Sequence, residues 1–138
     1  MSQTVSLRLP DELVNRLDRF ARKLGNGTTR SRAGVILLDE SLRAQEFEGI
    51  HFRNTILGRQ AFVTGTGMEV WQFIMLGRAL GMDADRVADH LGYPAAYFKS
   101  ALKYYNVYKA EIDEALADND NFDEEKMRRL FPDRKSVV

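Results

Sequence analysis

The chain has 138 residues, 44% hydrophobic and 10% aromatic, with 20 basic and 20 acidic side chains, two histidines and no cysteine. This excludes a wholly disordered chain, a uniformly basic nucleic-acid coat, disulfide scaffolds, thiolate metal sites and cysteine nucleophiles. The size suits one domain or two very small ones. With no long apolar run and no signal-peptide pattern, a cytoplasmic protein without a membrane partner is expected.

The zero net charge hides a polarity along the chain. Residues 1–35 carry seven bases and three acids, a balance of +4, and residues 36–109 hold eight of each. Residues 110–125 hold eight acids and no base, and residues 126–138 return to five bases against one acid. A basic end supplies the attraction to phosphate that dominates nucleic-acid affinity, whereas an acidic run suits a basic partner or a solvated helix face.

Residues 4–9, Thr-Val-Ser-Leu-Arg-Leu, alternate with period two. They predict a short strand with Val5, Leu7 and Leu9 on one face and Thr4, Ser6 and Arg8 on the other. Pro10 closes it, and Asp11 and Glu12 place negative charge where a helix start favours it. Leu13, Leu17, Phe20 and Leu24 then form one apolar stripe, which Gly25-Asn26-Gly27 ends. Thr28 or Thr29 caps a second helix to about Phe47, with Arg30, Ser31 and Arg32 in its first turn and Ala33, Ile36, Leu37, Ser41 and Leu42 facing inward. Arginines at a helix start oppose the macrodipole unless an anion docks there. The lone strand has no partner in the next forty residues, so its backbone groups call for a second copy of the chain. Paired antiparallel, two copies present a double row of Thr4, Ser6 and Arg8, narrow enough for a DNA major groove.

The segments TVSLRLPDEL, KLGNGT and TRSRAG resemble the ribbon-helix-helix family of repressors and antitoxins, the group containing Arc, MetJ and CopG. Gly34 stands where that family usually carries an aliphatic residue. The resemblance implies a homodimer, able to assemble further, on a palindromic double-stranded operator. It implies base reading by Thr4, Ser6 and Arg8, and phosphate binding at the second helix start by Thr28, Thr29, Arg30, Ser31 and Arg32.

After Gly49 a turn-rich stretch follows, in which residues 61–64 read as a short strand. Gly65-Thr66-Gly67 lacks the Gly-Lys-Ser/Thr of a phosphate loop. Residues 68–80 are apolar nearly all round and predict a buried helix holding Trp71. Asp83 caps the next helix, and Val87-Ala88, Leu91-Gly92, Tyr97-Phe98 and Ala101-Leu102 give helix-turn-helix spacing, the second helix starting near Pro94. That helix opens with Ala95, Ala96 and Tyr97 rather than basic side chains, so packing or partner binding is the expected role. Tyr97, Ala101, Tyr104 and Tyr108 form an aromatic stripe suited to core or interface. Asp83, Asp85 and Asp89 read as capping and solvated positions and His90 as structural, and neither an enzyme nor a cofactor is expected.

The segments GRQAFVTGTGMEVWQFIMLGRALG, VADHLGY and ALKYYNVYKAEIDEAL resemble small helical domains of antitoxins that accompany toxins with a PIN-like nuclease fold. This resemblance implies a type II antitoxin, which represses its own promoter and neutralises a cognate toxin through its C-terminal region. Tentative toxin contacts are Phe122, Met127, Arg128, Arg129, Leu130 and Phe131, guanidinium being a natural partner for an acidic nuclease site. The expected fold is mainly α: a ribbon-helix-helix over 1–48, a helix-turn-helix-like domain over 49–120 and a tail over 121–138. A stand-alone repressor without a toxin, or an adaptor whose ribbon only dimerises, are the alternatives.

Overall fold

A computed structural model describes residues 2–119, which are mainly helical with one small antiparallel sheet. The chain divides into two units, the first ending at Leu42 and the second beginning at Arg43. The six residues proposed as toxin contacts, Phe122 to Phe131, lie outside the described residues.

In the first unit residues 2–10 belong to no helix or strand, so the ribbon expected over 4–9 does not form within one chain. Among the described residues no segment pairs with its backbone. Helix α1 spans Asp11–Leu24, with Asp11 and Glu12 in its first turn and Arg22 and Lys23 in its last, the arrangement the helix dipole favours. Gly25, Asn26 and Gly27 all take positive φ, a turn that two glycines make inexpensive. Helix α2 spans Arg30–Glu46. Within residues 2–42 only Ala21 and Ala33 are buried. Ser41 and Leu42, expected to face inward, are exposed, since one copy of this unit supplies no second apolar face to cover them.

The second unit begins with strands β1 (Ile50–Thr55), β2 (Gly58–Val63) and β3 (Met68–Glu69), an antiparallel meander in that order. The register pairs Ile50 with Val63, Phe52 with Ala61 and Thr55 with Gly58. Period two turns Ile50, Ala61 and Val63 into the core and leaves His51, Arg53 and Gln60 on the other face. The strand expected over 61–64 lies largely within β2, whereas β1 was not anticipated in what read as a turn-rich stretch. Helix α3 (Val70–Ala79) is central, as its apolarity predicted: Val70, Trp71, Phe73, Ile74 and Leu76 are all buried. Helices α4 (Ala84–Leu91) and α5 (Ala95–Val107) have the expected spacing. Asp83 accepts from the N–H groups of Asp85 and Arg86, and Gly92 closes α4 in the left-handed conformation. Gly77 lets α3 and α5 approach, since a Cβ there would lie 2.6 Å from Phe98. Phe98, Ala101 and Tyr104 are core, so the aromatic stripe is used chiefly inward. The chain bends at Tyr108 into α6 (Lys109–Asp118), which buries Ile112 and Ala115. No helix among the described residues is long and apolar enough to cross a membrane.

Candidate nucleic-acid interface

The N-terminal segment is the most exposed apolar stretch of the first unit, with Val5 at 74% and Leu7 at 71% of full exposure. Thr4, Ser6 and Arg8 alternate with them and are exposed too. The segment borders an open apolar groove of about 770 Å³, lined by Val5, Leu7, Leu17, Phe20, Val35 and Leu38 among others. Fully burying a Val or Leu side chain is worth about 1.5–3 kcal/mol, so a groove left open in one copy represents a substantial driving force for covering it.

Arg30 and Ser31, from the first turn of α2, also line this groove. Thr29 is the cap: its hydroxyl accepts from the Arg32 backbone N–H at 3.1 Å, while the Thr28 hydroxyl donates to the Gly25 carbonyl at 2.6 Å. The structure thus separates the two threonines that the sequence left as alternatives. Arg30 makes a forked pair with Asp18, Nε and Nη2 donating to the two carboxylate oxygens at 2.9 and 3.0 Å. This hydrogen bonding holds the Asp18 carboxyl below its ordinary value and raises Arg30. For a phosphate the Arg30 fork would have to exchange partners, whereas the exposed Ser31 and Arg32 side chains stand in the same first turn. Groove and helix start bring the segment expected to form a ribbon and the residues expected to meet phosphate into one unit, whose residues up to 35 carry the +4 balance.

The second unit holds polar constellations that the sequence reading did not single out. Arg43 Nη1 donates to the Tyr104 hydroxyl and to Glu111 Oε1, each at 2.7 Å, and Tyr104 donates to Glu111 Oε2 at 2.8 Å. The Arg43 guanidinium also lies 3.9 Å from the centre of the Tyr108 ring. Burial opposes the Arg43 charge most strongly, but the bonds to Glu111 and Tyr104 reverse that effect and its pKa rises. Burial, together with the Glu111 charge, pushes the Tyr104 phenol up.

A second set repeats the chemistry one residue on: Arg78 Nη2 donates to the Tyr105 hydroxyl at 2.8 Å and to Asp113 at 3.2 Å, and Tyr105 donates to Asp113 at 2.8 Å. The acids at the start of the acidic run therefore dock α6. No helical period marks these contacts, because the tyrosines lie on α5 and the acids on α6, beyond the bend at Tyr108.

On the outer face of the hairpin, Arg53 Nε donates to His51 Nε2 at 3.0 Å, which places the ring proton on Nδ1, 2.9 Å from the Thr64 hydroxyl. His51 is thereby a donor to Thr64 and not a base that would activate it. Burial and the Arg53 charge hold its pKa below the ordinary value.

Comparison with protein-family models, with curated proteins and with solved structures gives no match to this chain.

Proposed function

We propose that the chain is a type II antitoxin: it binds operator DNA as a ribbon-helix-helix dimer, represses its own promoter and neutralises a cognate PIN-like ribonuclease toxin. The observation that carries the DNA half is the exposed alternation of Val5 and Leu7 with Thr4, Ser6 and Arg8 beside an open apolar groove, in a unit that buries only two alanines. Antiparallel pairing of two such segments would satisfy their backbones, cover the grooves and set the polar row outward. Arg8 is the side chain suited to bidentate guanine reading, and the start of α2 offers N–H groups, a hydroxyl and Arg32 to a phosphate. The toxin half rests on the resemblance of residues 50–120 to antitoxin domains.

A gel shift on the DNA upstream of the coding sequence tests the first half. Arg8→Ala should weaken binding by about 1–3 kcal/mol and relax sequence preference, while unchanged binding by this variant would reject ribbon reading. Val5→Ser with Leu7→Ser should convert the dimer to a monomer in sedimentation. Co-expression with the neighbouring gene tests the second half: if that gene arrests growth, this chain should restore it.

A further inference from the structure

The β1–β2 hairpin of the second unit carries two side chains that its own structure does not use. Ile56 and Leu57 form the two-residue tip, the first fully exposed and the second half exposed. Tight turns ordinarily carry Gly, Asn or Asp, whose backbone freedom or hydrogen bonding makes the turn. Here the turn is held by its flanks. The Thr55 hydroxyl accepts from the Leu57 N–H at 3.1 Å and donates to the Gly58 carbonyl at 2.8 Å, and Gly58 takes the positive φ of 99°. A β-branched and a branched apolar side chain at such a tip contribute nothing to folding and cost solubility.

The surroundings of the tip specify what it fits. The base of the hairpin is anchored by the buried Ile50, Ala61, Phe62 and Val63, whereas Arg53, Asn54, Ile56 and Leu57 are exposed and Arg59 and Gln60 half-buried, so the tip and its β1 flank are open to solvent. Residues 49–68 contain no acid. Just behind the tip, two cross-strand pairs present Arg53 beside Gln60 and Asn54 beside Arg59. Arginine, asparagine and glutamine are the side chains that read a minor groove, and isoleucine and leucine are among those that wedge between its base steps and kink the duplex. An acidic protein surface would also attract Arg53 and Arg59, but a duplex alone offers base steps for the two apolar side chains together with phosphates for the arginines.

We propose that the β1–β2 hairpin is a second DNA-contacting element, which seats Ile56 and Leu57 between base steps of the minor groove and holds the flanking backbone through Arg53, Asn54, Arg59 and Gln60. This rests on the reading of the chain as a DNA-binding protein, and it assigns DNA contact to the second unit independently of Thr4, Ser6 and Arg8. It also supplies a reason why α5 need not present basic side chains early: the nucleic-acid chemistry of this unit sits on its hairpin.

The test uses the full chain and a duplex from upstream of its coding sequence, end-labelled to report bending by energy transfer and carrying 2-aminopurine to report unstacking. Wild type should bend the duplex and brighten 2-aminopurine. Ile56→Ala with Leu57→Ala should abolish both signals and raise Kd about tenfold, with circular dichroism and Tm unchanged because the tip is exposed. Arg59→Gln should weaken binding and lower its salt dependence. If the tip variant bends and unstacks DNA like wild type, or if wild type binds with neither signal while Arg8→Ala still loses binding, the hairpin proposal is overturned and the operator reading stands. If wild type binds no duplex at all, both fall.

Discussion

The two units reach opposite outcomes from similar material. Helices α1 and α2 are 14 and 17 residues long, yet within residues 2–42 only Ala21 and Ala33 are buried. Helix α3 has 10 residues and buries seven of them. The difference lies in what each helix finds opposite it. Around α3 the same chain supplies a sheet, two further helices and α6, so an apolar stripe becomes a core. Within the first unit, the described residues offer α1 and α2 one segment outside any helix or strand, and the stripe lines a groove of about 770 Å³. An amphipathic pattern therefore states that a face will be covered, not by which chain.

The sharpest way to break this contrast is to truncate one apolar side chain in each unit. Phe73 is 1% exposed, and Phe73→Ala should cost about 3–5 kcal/mol. Leu7→Ser in the first unit should leave unfolding of the second unit unchanged and instead make the protein dissociate on dilution. Thermal melts across a range of concentrations separate the two effects. A Phe73→Ala loss below about 1 kcal/mol would mean that the second unit is not packed to native density.

The next contrast is between two arginines that each hold a carboxylate. The Arg43 side chain is 17% exposed and ties Tyr104 and Glu111, so Arg43→Met should lower stability by about 1.5–3 kcal/mol. Arg30 is 58% exposed in its pair with Asp18, where solvent and salt screen the attraction, and Arg30→Met should leave the melting transition in place. A measurable loss on Arg30→Met that disappears at high salt would show that the first unit depends on this pair more than its exposure suggests.

Two glycines differ between the units in the same way, with smaller effects. At Gly77 a Cβ would sit 2.6 Å from Phe98, so Gly77→Ala should overpack the α3–α5 crossing and cost about 1–3 kcal/mol. At Gly34 a Cβ would meet only Leu17, at 3.8 Å, which is ordinary contact. Gly34→Ala should raise the stability of the first unit by up to about 1 kcal/mol through helix propensity. Gly34 also lines the groove, and weaker dimerisation in the same variant would place this wall of the groove in the dimer contact.

Much of this was legible in the sequence, for identifiable reasons. The α3 helix and the bounds of α4 and α5 were readable because their stops are local: Asp83 caps, Gly92 takes the left-handed turn and Pro94 precedes α5. The strand β1 was not, because Ile50-His51-Phe52-Arg53 alternates for only two steps before Asn54 puts a polar side chain on the apolar register. At the site, the alternation of residues 4–9 and the crowding of Arg30 and Arg32 at a helix start were visible as patterns. The Arg30–Asp18 pair and the Arg43–Tyr104–Glu111 set join residues 12 and 68 positions apart, and no local period encodes them.

The smallest expected effect separates the units by pH. His51 has its pKa lowered from 6.5 by burial and by Arg53, so below 6.5 the unfolded chain binds this proton first. Its contribution to stability is complete above pH 6.5 and is lost as pH falls toward the depressed folded value, where protonated Nε2 can no longer accept from Arg53. Asp18 has its pKa lowered from 3.8 by the hydrogen bond from Arg30, so its contribution is complete above pH 3.8 and is lost only in stronger acid. Between pH 7 and pH 5 the hairpin should therefore loosen while the first unit is untouched. Amide hydrogen exchange, corrected for the intrinsic pH dependence of the amide rate, checks it: protection should fall in residues 50–63 and stay constant in α1, and His51→Gln should remove the difference. An equal fall in both units would mean that another group, common to both, governs the response.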